Sequence, residues 1–206
     1  KQMEYIVYKM AFDTGLHAGN TLLEDREMTI HADTLFSALC QQALKIGGET
    51  LLKEFFDRTE RGEILLSDAF PYDDNHYYIA KPMISRSFAE ENEAEEKGSS
   101  EKKKLDKKMK FIPIDAIESY ISGKLDAAAV NEAVGNIGKA ELRTQANIKD
   151  QEETLPYHVG IYRFNENCGL YVIIGLKNKE SKSLTGRLFE SLEFDGIGGK
   201  RSSGLG

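Results

Sequence analysis

Residues 195–206 read DGIGGKRSSGLG, with Gly196, Gly198, Gly199, Gly204 and Gly206 placed around Lys200, Arg201, Ser202 and Ser203. Glycine backbones come close to an oxyanion and tolerate the positive φ angles that make neighbouring N–H groups converge, so the stretch points to phosphate. A nucleotide-hydrolysing P-loop needs G-x-x-x-x-G-K-[ST] between a strand and a helix. Here Phe194 occupies the first glycine position and Arg201 stands where Ser or Thr is required. The dinucleotide pattern G-x-G-x-x-G fails as well, because Arg201 takes the place of its third glycine. In both motifs the helix follows the loop, whereas here Leu184, Leu188, Phe189 and Leu192 repeat at helical spacing ahead of it. A basic, glycine-rich loop behind a helix suits a polyanion backbone better than a nucleotide.

Other chemistry is sparse. His17, His31, His76 and His158 are scattered without metal-ligand spacing, and Cys40 and Cys168 sit far apart, which favours two buried thiols over a disulfide or a zinc site. No cofactor is implied. The net charge of −7 is unevenly spread: residues 1–80 carry −7, residues 81–110 carry +2 and residues 111–206 carry −2. That is the profile of a subunit whose nucleic-acid contacts are confined to a few loops, with an acidic remainder suited to basic partner subunits. The chain has no apolar run of membrane-spanning length and starts without signal-peptide architecture, so a soluble, cytoplasmic protein is expected.

The elements that must carry the loop follow from periodicity. EYIVYKMAF reads as a first strand and DTGLHAGN, with His17 and Gly19, as the loop after it. HADTLFSALCQQALKIGG reads as a helix N-capped by Asp33, with Leu35, Leu39, Cys40, Ala43 and Leu44 on one face and a stop at Gly47 and Gly48. A second helix, ETLLKEFFDRTERG, ends at Gly62. Residues 63–81, with EILLSDAFPY and HYYIAKP, suggest a short strand pair split by Pro71 and an Asp-rich turn. A charged segment, 88–110, is expected to be a flexible loop whose basic half could touch a nucleic-acid backbone. FIPIDAIESYISGK reads as a helix, and the region around NEAVGNIGK as irregular. LPYHVGIYRFNENCGLYVIIGL is expected to be a hairpin reversing at Gly169, with Tyr162, Phe164 and Tyr171 as core or sheet filling. The fold class expected is α+β: one domain over 1–206 with an insertion at 63–150, whose strand–helix–strand–strand–helix order is ferredoxin-like (RRM-type) and lacks its last strand before Gly206.

HADTLFSAL, the Arg143–Thr144 segment leading into LPYHVGIYRF, and the closing GIGGKRSSGLG together resemble the RAMP superfamily of CRISPR-associated proteins. The nearest likeness is to the type III-A (Csm) effector-complex subunit that binds the 5′ handle of the CRISPR RNA, which normally continues into a second ferredoxin-like domain. The resemblance implies a non-catalytic, antiviral RNA-binding subunit. Its Gly196, Gly198, Gly199, Lys200, Arg201, Ser202, Ser203, Gly204 and Gly206 would grip CRISPR-RNA backbone, and Arg143 and Thr144 would lie in a thumb-like segment over it. Its partners would be the large polymerase-like subunit and the backbone RAMP subunits. His17 and Gly19 are further RNA-facing candidates, with Lys81 and Arg86 weaker ones. Two alternatives stay open: a metal-independent endoribonuclease using His17 or His31 as general base, and an interaction module that touches no RNA.

Overall fold

A computed structural model of the chain describes residues 2–18, 27–74, 76–84, 96–147 and 155–198. Its first strand, β1 (Glu4–Ala11), is followed by the helical segment α1 (Ala32–Glu60), β2 (Ile64–Asp73) and β3 (His76–Ala80). Then come α2 (Glu96–Lys108), β4 (Phe111–Pro113), a 3₁₀ turn, α3 (Ile117–Ile121), α4 (Ala127–Gly135), β5 (Gly138–Asn147), β6 (Leu155–Phe164), β7 (Cys168–Leu176) and α5 (Lys179–Asp195). The class is α+β. Five strands form one sheet in the order β1-β7-β2-β3-β4, and β5 and β6 form a separate ladder. Since β7 is antiparallel to both β1 and β2, those two strands run parallel, joined by α1 and split by β7.

Alternation along β1 and β7 turns Ile6, Tyr8, Leu170, Val172 and Ile174 toward α1 and α5, where they meet Leu35, Leu39, Leu184 and Leu188 in the main core. The Tyr8 and Phe189 rings stack with centroids 4.3 Å apart. The opposite sheet face leaves Tyr5 and Val7 exposed. A smaller core of Met109, Ile112, Tyr120 and Val130 joins α2, β4, α3 and α4.

α1 is two helices meeting at Gly48, whose φ of 65° favours glycine. A straight helix would hold Phe36 and Phe55 about 28 Å apart, yet their rings stack at 5.4 Å. The break therefore folds the second segment back on the first. The buried face of α1 differs from the expected one, because Gln42 is buried and Leu44 is half exposed. Asp33 is not the N-cap. His31 takes that position without a side-chain bond, and Asp68 Oδ1 accepts from the Ala32 amide at 2.7 Å. A bulge in β2 between Leu66 and Ala69 aims Asp68 that way, while Ser67 Oγ accepts the amide of Ile173 across the break.

Several further expectations give way. The expected strand pair does form, as β2 and β3, reversing at its acidic turn around Asp74, but Pro71 lies inside β2, and pairing to β3 begins only at Tyr72, beyond the residue that lacks a donor. Residues 96–108 of the charged segment are helical, FIP forms β4 before a helix of only five residues, and the NEAVGNIGK region contributes α4 and the start of β5. The two best strands of the chain, β6 and β7, do not form a hairpin with each other. β6 pairs with β5 over ten residues, β7 goes to the middle of the sheet, and β2, from within the 63–150 stretch, lies beside it. The reversal between β6 and β7 falls at Asn167, with φ 60°, and Gly169 is already strand. Cys40 and Cys168 are free and half-buried, with burial raising both thiols above their ordinary pKa.

Burial also pushes the phenols of Tyr162 and Tyr171 up to about 12. For a raised folded pKa the stabilisation is whole below the unfolded value, about 10, and is lost as pH rises through the folded one. Of the nine tyrosines, a late-titrating group should therefore ionise together with the loss of circular dichroism between about pH 10 and 12. Complete tyrosinate formation near pH 10 with an unchanged far-ultraviolet spectrum would contradict this.

Candidate nucleic-acid interface

Leu16, in the loop after β1, exchanges both backbone hydrogen bonds with Tyr162 at 2.8 Å, so this loop runs along the edge of β6 opposite β5. One residue on, His17 Nδ1 lies 2.7 Å from the Gly160 carbonyl. A carbonyl only accepts, so Nδ1 carries the proton and, in the neutral ring, Nε2 is left as an acceptor. On the other edge, Arg143 registers with Val159, and Thr144 with His158, whose Nδ1 hydrogen-bonds Thr144 Oγ1 at 3.2 Å. His17, Arg143 and Thr144 are thus held by three consecutive residues of one strand, about 7 Å of chain. Arg143 is exposed and has no carboxylate within ion-pair distance among the described residues, whereas Arg163 faces Glu141 at 3.6 Å.

The glycine loop leaves α5 next to this strand. Gly196, at φ 72°, ends the helix, with its amide donating to the Leu192 carbonyl. Ile197 is buried in the main core. Gly198 has φ 105°, and a Cβ there would meet the His17 carbonyl oxygen at 2.8 Å, so the backbone of the glycine loop rests on the backbone of the histidine loop. The helix end is clamped from α1: Asp195 accepts from Gln42 Nε2 at 3.0 Å and from Lys45 Nζ at 2.6 Å, and Gln42 Oε1 accepts from Ser191 at 2.7 Å.

Gly198, His17, Arg143 and Thr144 are therefore gathered around β6, while Gly196 stands at the end of α5. Gly19, Arg86, Gly199, Lys200, Arg201, Ser202, Ser203, Gly204 and Gly206 lie outside the described residues. Lys81 is a tether, bonded to the Asp106 carbonyl oxygen and 3.5 Å from its carboxylate. His31 sits between Glu27 and Asp68 at the start of α1. The sequence reading missed His158, Gln42 and Lys45. His158 is signalled only by its register against Thr144, and Gln42 and Lys45 only by a contact across about 150 residues of sequence. Among the described residues no group of three potential metal ligands occurs, and no helix is long and apolar enough to cross a membrane.

In fold, the chain is similar to solved CRISPR effector subunits. It superposes on a chain of the Csm1-Csm4 cassette in complex with cA4 with a TM-score of 0.63 at 19% identity, covering 93% of this chain and 66% of that one. For the Csm3-Csm4 subcomplex of the type III-A CRISPR-Cas interference complex the TM-score is 0.58 at 18% identity, with 96% and 66% covered. The relatives in sequence carry one name, CRISPR system Cms protein Csm4. The Mycobacterium tuberculosis (strain CDC 1551 / Oshkosh) protein is 32% identical over 201 residues, 97% of this chain and 62% of its own length. That of Streptococcus thermophilus is 29% identical over 205 residues, 99% of this chain and 62% of its own length. The resemblance read from the motifs thus extends over nearly the whole chain, which spans a little under two thirds of these relatives. No family model matches.

Proposed function

We propose that this chain is the non-catalytic, CRISPR-RNA-binding part of a type III-A effector ribonucleoprotein in the cytoplasm. It grips the 5′ handle and joins the large polymerase-like subunit to the backbone subunits. The observation that carries this reading is the seating of Gly198 on His17, with His17 in turn bonded to β6. It ties the start of the cation-bearing loop to a strand whose other edge presents Arg143. The split order β1-β7-β2 is that of a ferredoxin-like, RRM-type unit, and a fourth strand would pair along the outer edge of β1. Such units bind single-stranded RNA, and glycine amides, serine hydroxyls and cations contact its phosphates without reading sequence. The partners are proposed from the assemblies that the relatives' names and solved structures describe.

The test is filter binding of a repeat-containing, single-stranded RNA across a salt series. Lys200→Ala with Arg201→Ala should weaken binding for every sequence and flatten the slope of log K against log salt by about 0.7 per lost contact, roughly 1.4 for the pair. An unchanged slope removes the loop from RNA binding. A second reading, the endoribonuclease, draws on the acceptor left at His17 Nε2. The same RNA incubated in EDTA should stay intact; site-specific cleavage abolished by His17→Ala would establish that reading instead.

A further inference from the structure

The chain is acidic overall, yet α2 and the two residues after it carry seven lysines, Lys97, Lys102, Lys103, Lys104, Lys107, Lys108 and Lys110. We propose that the lysine face of α2 is a second contact for the RNA sugar-phosphate backbone, separate from the glycine loop. The proposal rests on the RNA-binding reading and adds to it a surface that the loop does not include.

At about 100° per residue, Lys103, Lys104, Lys107 and Lys108 fall within roughly 140° of the helix circumference. All four are exposed, whereas Leu105 is half-buried on the other side and Met109, just past the helix, is buried against Ile112, Tyr120 and Val130. The inward side is fastened by Asn131 Nδ2 donating to the Leu105 carbonyl at 3.0 Å and by Lys81 donating to that of Asp106. The lysines are thereby aimed outward from an anchored helix. None of the four has a carboxylate within 4.0 Å among the described residues.

Local helix energetics account for the pattern only in part. The C-terminal dipole favours Lys107 and Lys108, and Asp106 and Glu101 stand three residues from Lys103 and Lys104, but Lys103 with Lys107 and Lys104 with Lys108 are like charges at i,i+4, which repel. A polyanion laid along the face turns that repulsion into attraction. The four ammonium groups occupy about 7.5 Å of helix, the reach of two or three phosphates at about 3.4 Å per step. Lysine is a mobile point charge that suits phosphate and reads no base.

The experiment uses the whole chain and the same RNA and salt series, comparing wild type with K103Q/K104Q/K107Q/K108Q, with Lys200→Ala/Arg201→Ala, and with all six changes together. Glutamine is close to lysine in helix propensity, and circular dichroism and melting confirm folding. At the same 0.7 per contact, the α2 variant should flatten the salt slope by roughly 1.4 to 2, the six-fold variant by the sum of the two sets, and arginine at the four α2 positions should restore it. If the α2 variant keeps the wild-type slope while the loop variant loses it, the α2 proposal falls and the RNA reading stands. If only the α2 variant matters, the loop reading falls and α2 stands. Absence of RNA binding by wild type would overturn both.

Discussion

Gly169→Ala is expected to destabilise the chain by about 3 kcal/mol, the upper range for overpacking, and to lower its melting temperature by roughly 6–12 °C at this size. Gly169 stands in β7 opposite Ala11 on one side and Tyr72 on the other. An added Cβ would come within 2.3 Å of the Met10 carbonyl oxygen and 3.0 Å of the Tyr72 ring. The Tyr72 ring can turn aside; the Met10 carbonyl belongs to the ladder that holds β1 to the sheet and cannot. Asn167→Gly is the matching control. It occupies the left-handed region at φ 60°, glycine is at ease there, and a change of a few tenths of a kcal/mol is expected. Were Gly169 the turn residue that its sequence context suggests, the two effects would be reversed in size. Chemical denaturation of both variants decides between them.

Gly198→Ala should weaken RNA binding roughly tenfold while lowering the melting temperature by no more than about 3 °C. With φ at 105° and the His17 carbonyl 2.8 Å from the new methyl, alanine can be accommodated only if the loop lifts from its seat. The strain avoided is about 1–3 kcal/mol. Because Gly198 follows both the helix and the buried Ile197, lifting it leaves the core packed. What is lost is pre-organisation: the loop must be ordered again when RNA binds, and about 1.4 kcal/mol of that corresponds to tenfold in affinity. Gly186→Ala separates this from a general effect of alanine in α5. A Cβ at Gly186 has only the Tyr8 hydroxyl near it, at 3.8 Å, so that variant should bind normally and melt no lower. Equal affinity of the Gly198 variant and wild type would detach the glycine loop from the β6 site.

Local periodicity was enough to locate β1, both segments of α1 with their break at Gly48, β6, β7 and α5 with its four buried apolar residues. Strand alternation and helical stripes are properties of a few neighbouring residues, so they can be read without knowing what lies opposite. The glycine loop was legible for a related reason: its composition restricts what it can hold before any partner is known. β5 was overlooked although Lys139, Glu141, Arg143 and Gln145 alternate with Ala140, Leu142, Thr144 and Ala146, because that second face is made of small residues and a half-exposed Leu142 and so carries little apolar signal.

By itself, then, the sequence determined that β1, β6 and β7 extend and that α1 and α5 coil, and that a glycine-rich, cationic stretch follows α5. Tertiary structure alone decided that β6 leaves β7 for β5, that Asp68 rather than Asp33 caps α1, and that His17, Gly198 and Arg143 converge on one strand. The physical reason is the range of the forces involved. Strand partners, distant caps and backbone seats are chosen by contacts between residues tens to more than a hundred positions apart, whose mutual fit exists only once the sheet has assembled.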